Sequence, residues 1–230
     1  MKKLLLICLL SSNAMATFTN ESELSLVNTS GNSNVENYIG KTKSKIELES
    51  NSFQLGGHYT YGTADKNLSA RDWDIFAGAD HKLSEKVSLT FLEQVEGNKF
   101  AGIKIRYNTD LGAKVSLFKT EKNNIDSELA YRYTVEENTL DITDHFNKAL
   151  LALGHTYEHS KALKVESRLE YVANFTTSED WEMKVKTSLY NAINSSFSLK
   201  LSYEWAKDNL PVTGATPYDR KFTTGLIAKF

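Results

Sequence analysis

Apolar and polar residues alternate along most of this chain, which is the pattern of β-strands whose two faces meet different environments. Residues 197–206 read FSLKLSYEWA, so one face is aromatic or aliphatic while the other carries serine, lysine and glutamate. The same pattern recurs clearly over 103–117, 125–136, 165–175 and 181–189. With the weaker segments, it predicts an all-β chain of about 12 strands (range 10–14), because boundaries read from one sequence are uncertain.

The predicted connectors alternate in length along the chain. Short ones fall near 49–52, 83–86, 119–124, 160–163 and 194–196, and long ones near 29–34, 63–70, 94–101, 136–147, 176–180 and 207–220. This rhythm is typical of bacterial outer-membrane barrels, which have tight periplasmic turns and longer extracellular loops. We therefore predict an antiparallel, up-and-down transmembrane β-barrel with both termini on the periplasmic side.

Tyrosine and tryptophan are frequent near the ends of the apolar faces, as expected of residues at a membrane–water boundary. This placement favours a barrel whose apolar face meets lipid and whose charged face points inward. The predicted lining residues are Lys104, Arg106, Arg132, Lys164, Glu166, Arg168, Glu170, Lys184, Lys186, Lys200 and Glu204. The basic excess in this set would favour anions. The alternative is a closed interior of paired charges without a pore.

The first sixteen residues have the layout of a secretory signal peptide. Lys2 and Lys3 precede the apolar run 4–10, and Ala14-Met15-Ala16 is a small-x-small cleavage site. We expect residues 1–16 to be removed and 17–230 to form a single barrel domain in the outer membrane of a Gram-negative cell. The only cysteine, Cys8, lies inside the signal, so the exported chain would contain neither a disulfide nor a thiolate site.

The chain ends in an amphipathic strand with a terminal phenylalanine. Phe222, Leu226, Ala228 and Phe230 share one face. A final strand of this kind resembles the assembly signal that outer-membrane barrels present to their insertion machinery. We therefore expect two partners, the insertion machinery and the outer-membrane lipid bilayer.

Composition excludes several other classes of function. The chain has 27 Lys and Arg against 29 Asp and Glu, which is not the balance of a nucleic-acid-binding protein. No apolar run after the signal reaches the ~20 residues of a membrane-spanning helix. Asp72 with Asp74, and Asp141 with Asp144, lack the oxygen-donor loop of a calcium site. The adjacent His159 and Ser160 fall in a predicted turn without a third catalytic group. We expect no catalytic residues, metal or cofactor.

Two end segments resemble a known family. The stretch 22–34, SELSLVNTSGNSN, is similar to the opening strand and turn of the YdiY-like salt-induced outer-membrane proteins, a family of unknown function. The stretches 198–204, SLKLSYE, and 223–230, TTGLIAKF, resemble its last hairpin. The resemblance implies a porin-like outer-membrane barrel and brings no catalytic residues or ligand.

The leading functional hypothesis is a narrow diffusion channel that favours small anionic solutes. The rival hypothesis is a non-conducting barrel that has a structural role or binds a ligand through its loops. An enzyme of the outer-membrane phospholipase type is not expected.

Overall fold

The structure, a computed structural model, describes residues 16–29, 35–211 and 216–230. Its twelve strands are β1 (Thr17–Thr29), β2 (Val35–Glu47), β3 (Asn51–Ala64), β4 (Asn67–Lys82), β5 (Val87–Asn98), β6 (Ile103–Lys119), β7 (Asn123–Asn138), β8 (Thr143–Glu158), β9 (Leu163–Asn174), β10 (Trp181–Ala192), β11 (Phe197–Asp208) and β12 (Tyr218–Lys229). The described residues contain no helix long and apolar enough to cross a bilayer. The predicted signal peptide, apart from Ala16, lies outside the described residues.

Each strand pairs antiparallel with its neighbours in sequence, and β1 pairs with β12 to close the sheet. Closure is carried by Glu21–Ser25 of β1 against Gly225–Lys229 of β12. Backbone hydrogen bonds between Asn20 and Phe230, of 2.9 and 3.0 Å, extend the pairing by one position. The predicted twelve-strand, up-and-down barrel is confirmed.

The barrel has two ends, which we call the terminal end, where both chain termini lie, and the far end. The short connectors of the terminal end fall where the sequence predicts them, at 48–50, 83–86, 120–122, 159–162 and 193–196. Three predicted long connectors of the far end are wrong. β5 continues to Asn98, so only residues 99–102 join it to β6. β3 and β4 continue to a two-residue turn at Asp65 and Lys66, and β7 and β8 continue until only residues 139–142 join them.

The two-residue turn at the far end has a specific backbone geometry. Asp65 and Lys66 have φ angles of 49° and 67°. Positive φ at both central residues matches the twist of a two-residue hairpin. β3 and β4 therefore extend beyond the positions at which apolar and polar residues stop alternating in the sequence.

The outer face of the barrel is apolar and exposed. Leu111 and Leu129, in the middle of this face, are each 63% exposed. Exposed aromatic residues cluster toward both ends, with Phe18, Phe53, Phe118, Phe197 and Phe230 near the terminal end and Tyr38, Tyr59, Tyr61, Tyr107, Tyr131, Tyr133, Tyr171 and Tyr203 toward the far end. A wide apolar band between aromatic belts suits a lipid environment.

Candidate functional site: the barrel interior

The inner surface is the candidate site, because the pairing register gathers the polar faces of the strands there. The buried residues include Glu23, Asp110, Glu128, Lys148 and Lys200. The register places every predicted lining residue except Lys104 on this inner face, with Lys184 opposite Glu170 and Lys186 opposite Glu204. Opposite charges facing each other on neighbouring strands stabilise the sheet.

Charged side chains meet across the interior toward the far end. Arg106 on β6 donates from Nε to Glu136 Oε2 at 2.6 Å, and its Nη1 lies 3.3 Å from Glu96 Oε1. The same Nη1 lies 3.9 Å from Glu182 Oε1 on β10, to which Lys148 donates at 3.3 Å. Because β6 and β10 are separated by three strands, this contact spans the interior. We call these five residues the crossing cluster.

Arg132 makes a second strong pair beside this cluster. Its Nε and Nη2 each donate at 2.7 Å to one oxygen of the Asp110 carboxylate. Asp110 is only 1% exposed. A two-point pair of this geometry is among the strongest ionic hydrogen bonds in proteins, so it fixes the wall at β6 and β7.

A second concentration of charge lies where β10, β11, β12 and β2 face the interior. The charge of Lys41 interacts electrostatically with those of three further lysines on these strands, and we call the four residues the lysine patch: Lys41, Lys186, Lys200 and Lys221.

Among the described residues, two carboxylates lie in ion pairs with the lysine patch. Glu23 is 2.8 Å from Lys200 and 3.7 Å from Lys41, and Glu204 is 3.3 Å from Lys186. Lys221 has no ion pair within 4 Å among the described residues. The four ammonium groups face these two carboxylates at close range, and Asp72 and Glu166 act on Lys221 and Lys200 from farther away.

The remaining predicted lining residues form local pairs. Arg168 donates to Glu170 at 2.6 Å and to Glu128 at 3.1 Å. Lys164 lies 2.6 Å from Glu166. The pairs with Glu170 and Glu166 lie within β9, and the contact with Glu128 reaches past β8 to β7 without crossing the interior.

Lys104 lies at the far-end rim instead of the inner face. A register shift between Ile103 and Ile105 displaces it, and it contacts Glu137 at 2.6 Å and the carboxylate of Asp141. The hydrogen bond from Lys104 lowers the pKa of the Asp141 carboxyl below its ordinary value.

The sequence analysis missed a histidine held between two carboxylates. His58 Nε2 lies 2.7 Å from Asp72 and its Nδ1 lies 2.7 Å from Asp74, which also accepts a hydrogen bond from Gln94. Alternation along β4 puts both aspartates on one face of the strand, but only the β3–β4 register brings His58 between them. Within the described ranges, no group of three or more such side chains is arranged to hold a metal ion.

Several interior charges remain accessible to solvent despite this pairing. The side chain of Arg168 is 41% exposed and that of Lys186 is 33% exposed, whereas Arg106 is 17% and Lys148 is 5% exposed. Solvent therefore reaches the inner wall, including the crossing cluster, where the side chain of Glu182 is 37% exposed.

The four residues of the predicted assembly signal lie on β12 or directly after it. Phe222, Leu226 and Phe230 are exposed on the outer face. Ala228 stands opposite Phe197 on β11 and Ser22 on β1.

Comparisons with known proteins agree with this architecture. The sequence profile of a family described as "Protein of unknown function, DUF481" matches residues 22–230. A comparison with curated proteins finds no match.

Similar solved structures are porins and a channel. The KdgM porin in complex with disordered oligogalacturonate has a TM-score of 0.55 at 10% identity, covering 93% of this chain and 99% of that chain. The NanC porin has a TM-score of 0.53 at 10% identity, covering 93% of this chain and 98% of that chain. An outer-membrane channel from Pseudomonas putida F1 has 0.53 at 10% identity, covering 94% of both chains. At this identity the likeness concerns the fold.

Proposed function

Since the chain belongs to DUF481, a family of proteins of unknown function, and folds as a closed barrel of twelve strands, we propose that it is an outer-membrane protein forming a narrow diffusion channel. The observation that carries the proposal is the solvent exposure of interior charges such as Arg168 and Lys186. A dry interior would leave such cations costly to bury. The similar porins and channel support the same proposal.

The barrel size fits a narrow passage. Eight strands enclose little more than their own side chains, whereas sixteen to eighteen leave a wide aqueous channel. Twelve strands lie between these limits, so a few long side chains suffice to constrict the path. The crossing cluster, with Arg106 and Glu182 3.9 Å apart, is the constriction in this proposal.

The preference for anions rests on the lysine patch. The interior is more nearly balanced in charge than the predicted lining residues imply, because Glu23, Asp72, Asp74, Asp80 and Asp110 also lie on the inner face. In this proposal the four lysines of the patch supply the positive part of the wall. A positive wall beside a narrow aqueous path raises the local concentration of anions.

Placement in the membrane follows from the apolar outer face. In this proposal residues 1–16 are cleaved on export, the terminal end faces the periplasm, and the insertion machinery recognises the last strand through Phe222, Leu226, Ala228 and Phe230. Cell fractionation tests the location. The folded chain should appear in the outer-membrane fraction and migrate differently on a gel before and after boiling. Recovery of the chain in the soluble periplasmic fraction would contradict the placement.

Single-channel recording in a planar bilayer tests the function. The wild-type barrel should give discrete current steps, and Arg106→Ala should enlarge them because it removes the side chain that spans the interior. Glu182→Ala removes the same contact from the β10 side and should have the same effect. Arg71→Ala is the matched control, since Arg71 lies near the far end, is exposed and has no ion pair among the described residues. Steps of unchanged size in both cluster variants would contradict the assigned constriction.

The second candidate function is a non-conducting barrel with a structural role or a loop-mediated binding role. The observation that favours it is the dense pairing at the crossing cluster, where Lys148 is 5% exposed. A silent bilayer with folded, inserted protein would support this candidate over the channel.

A further inference from the structure

The pairing between β1 and β12 covers only part of the length of both strands. It ends at Ser25 and Gly225, whereas β1 pairs with β2 as far as Thr29 and β12 pairs with β11 as far as Tyr218. Among the described residues of β1, none pairs with residues 218–224 of β12, and we call this stretch of β12 the open edge. Within the described residues, β12 is thus paired with β1 over fewer positions than with β11.

Two cations lie on the outer wall beside this open edge. Trp205 pairs with Arg220 and Lys207 pairs with Tyr218. Phe222, on the same face of β12 as Arg220 and Tyr218, is 64% exposed on the outer surface. Alternation along the strands puts Lys207 and Arg220 on that surface, at diagonal positions of neighbouring strands.

In the described part of the barrel, neither cation is neutralised by a nearby carboxylate. No acidic side chain lies within 4 Å of Lys207 or Arg220 among the described residues, and the segments 30–34 and 212–215 contain no Asp or Glu. Asp219 points to the other face by alternation. Lys207 is held against the wall by aromatic rings, 4.4 Å from that of Trp181 and 5.6 Å from that of Tyr218.

The surroundings of the two cations are suited to an amphiphile. The ring centroids of Tyr218 and Trp205 are 6.1 Å apart. Both rings lie between the apolar band and the far end, as aromatic residues do at a headgroup boundary. Below them Phe222 and Leu26, on either side of the open edge, are 64% and 58% exposed. The site thus has two cations at headgroup height and an apolar bed beneath them.

We propose that this wall, formed by Trp205, Lys207, Tyr218, Arg220 and Phe222, binds a phosphorylated lipid of the surrounding leaflet. The phosphate lies between Lys207 and Arg220, and an acyl chain lies against the exposed side chains of Phe222 and Leu26 beneath them. We call these five residues the seam site. The proposal rests on the membrane placement given under the proposed function, and it does not require conduction.

Native mass spectrometry of the detergent-purified barrel tests the seam site. The probes are bisphosphorylated lipid A and its dephosphorylated form with the same acyl chains. The wild type should bind the phosphorylated probe more tightly. Each cation removed, as in Lys207→Gln and Arg220→Gln, should weaken that binding about tenfold, as expected for a charged hydrogen bond. Binding of the dephosphorylated probe should not change.

Arg71→Gln is the matched control, because it removes an exposed arginine near the far end of β4 and should leave binding unchanged. Heat-dependent gel migration shows that each variant is folded. Equal affinity for the two probes, or full affinity in the double variant, would overturn the proposal. So would cross-links showing that a second copy of the chain covers the seam site. A barrel that binds the phosphorylated probe but conducts no current would contradict the proposed channel and would still support the seam site.

Discussion

Replacing Arg106 with methionine should destabilise the barrel strongly, because one guanidinium serves three carboxylates. Arg106 lies 2.6 Å from Glu136, 3.3 Å from Glu96 and 3.9 Å from Glu182. Methionine keeps much of the side-chain volume and removes the charge, so the carboxylates would repel one another in a poorly solvated space.

The size of the effect follows from the exposure of these groups. Breaking a buried ion pair by removing one partner costs about 3–5 kcal/mol. Glu182 is 37% exposed, so solvent screens most of its interaction with Arg106. We therefore expect a loss of about 3 kcal/mol in the free energy of unfolding, the lower end of that range. Arg106→Lys should lose less, about 1 kcal/mol, since it keeps the charge but not the forked geometry.

Urea unfolding in detergent micelles, followed by tryptophan fluorescence at fixed salt, measures this difference. Arg71→Met is the control, because it removes an exposed arginine without an ion pair in the described part of the chain. Surface changes of this kind stay within about 0.5 kcal/mol. If Arg106→Met destabilised the barrel no more than Arg71→Met, the ion pairs of Arg106 would not stabilise the folded barrel.

Four further predictions concern assembly, selectivity, turn geometry and pH. Phe230→Asp should lower the amount of barrel in the outer-membrane fraction on immunoblots, whereas Phe100→Asp in a far-end turn should not, and equal amounts would exclude Phe230 from the assembly signal. Lys186→Glu combined with Lys221→Glu should shift the reversal potential in a salt gradient toward cation preference, and an unchanged potential would remove the lysine patch from the permeation path. Lys66→Gly should raise the free energy of unfolding by up to about 1 kcal/mol, because glycine adopts positive φ without strain, while a lower urea midpoint would contradict that strain. Lys104 lowers the pKa of Asp141, so the stabilisation by their pair should be complete above the ordinary aspartate pKa of about 3.9 and be lost as the pH falls through the lowered value. Acid should therefore increase cleavage of the 139–142 turn by an acid-active protease in the wild type. The same acid should not increase cleavage in Asp141→Asn.

The sequence predicts the number of strands and most turns of the terminal end because each strand crosses a boundary between two environments. Over 197–206 every second residue is apolar, and the structure has β11 at Phe197–Asp208. Alternation of this kind persists wherever one face meets lipid and the other meets polar groups. It therefore locates the membrane-spanning part of each strand.

The same rule misplaces the far-end connectors at 63–70 and 136–147. Where strands project past the apolar band, both faces are wet, so polar residues such as Asn67 and Glu137 no longer mark a loop. Hydrogen bonding across the β3–β4 and β7–β8 pairs continues regardless of side-chain polarity. The turn at Asp65 and Lys66 lacks glycine, so it gave no strong sequence signal.

The interior contacts depend on register and closure, which a single sequence does not specify. Lys200 and Glu23 are 177 positions apart in the chain and meet at 2.8 Å because β1 and β11 flank β12. His58 reaches Asp72 and Asp74 only in the observed β3–β4 register. A residue pattern identifies which side chains face inward, whereas their partners follow from how the barrel closes.

The reversal potential of the wild-type barrel in a planar bilayer, under a KCl gradient, tests the central proposal most directly. The proposed narrow channel with a positive lysine patch should give discrete current steps and a reversal potential whose sign indicates preference for chloride. Folded and inserted barrel that carries no current, or that prefers potassium, would contradict it.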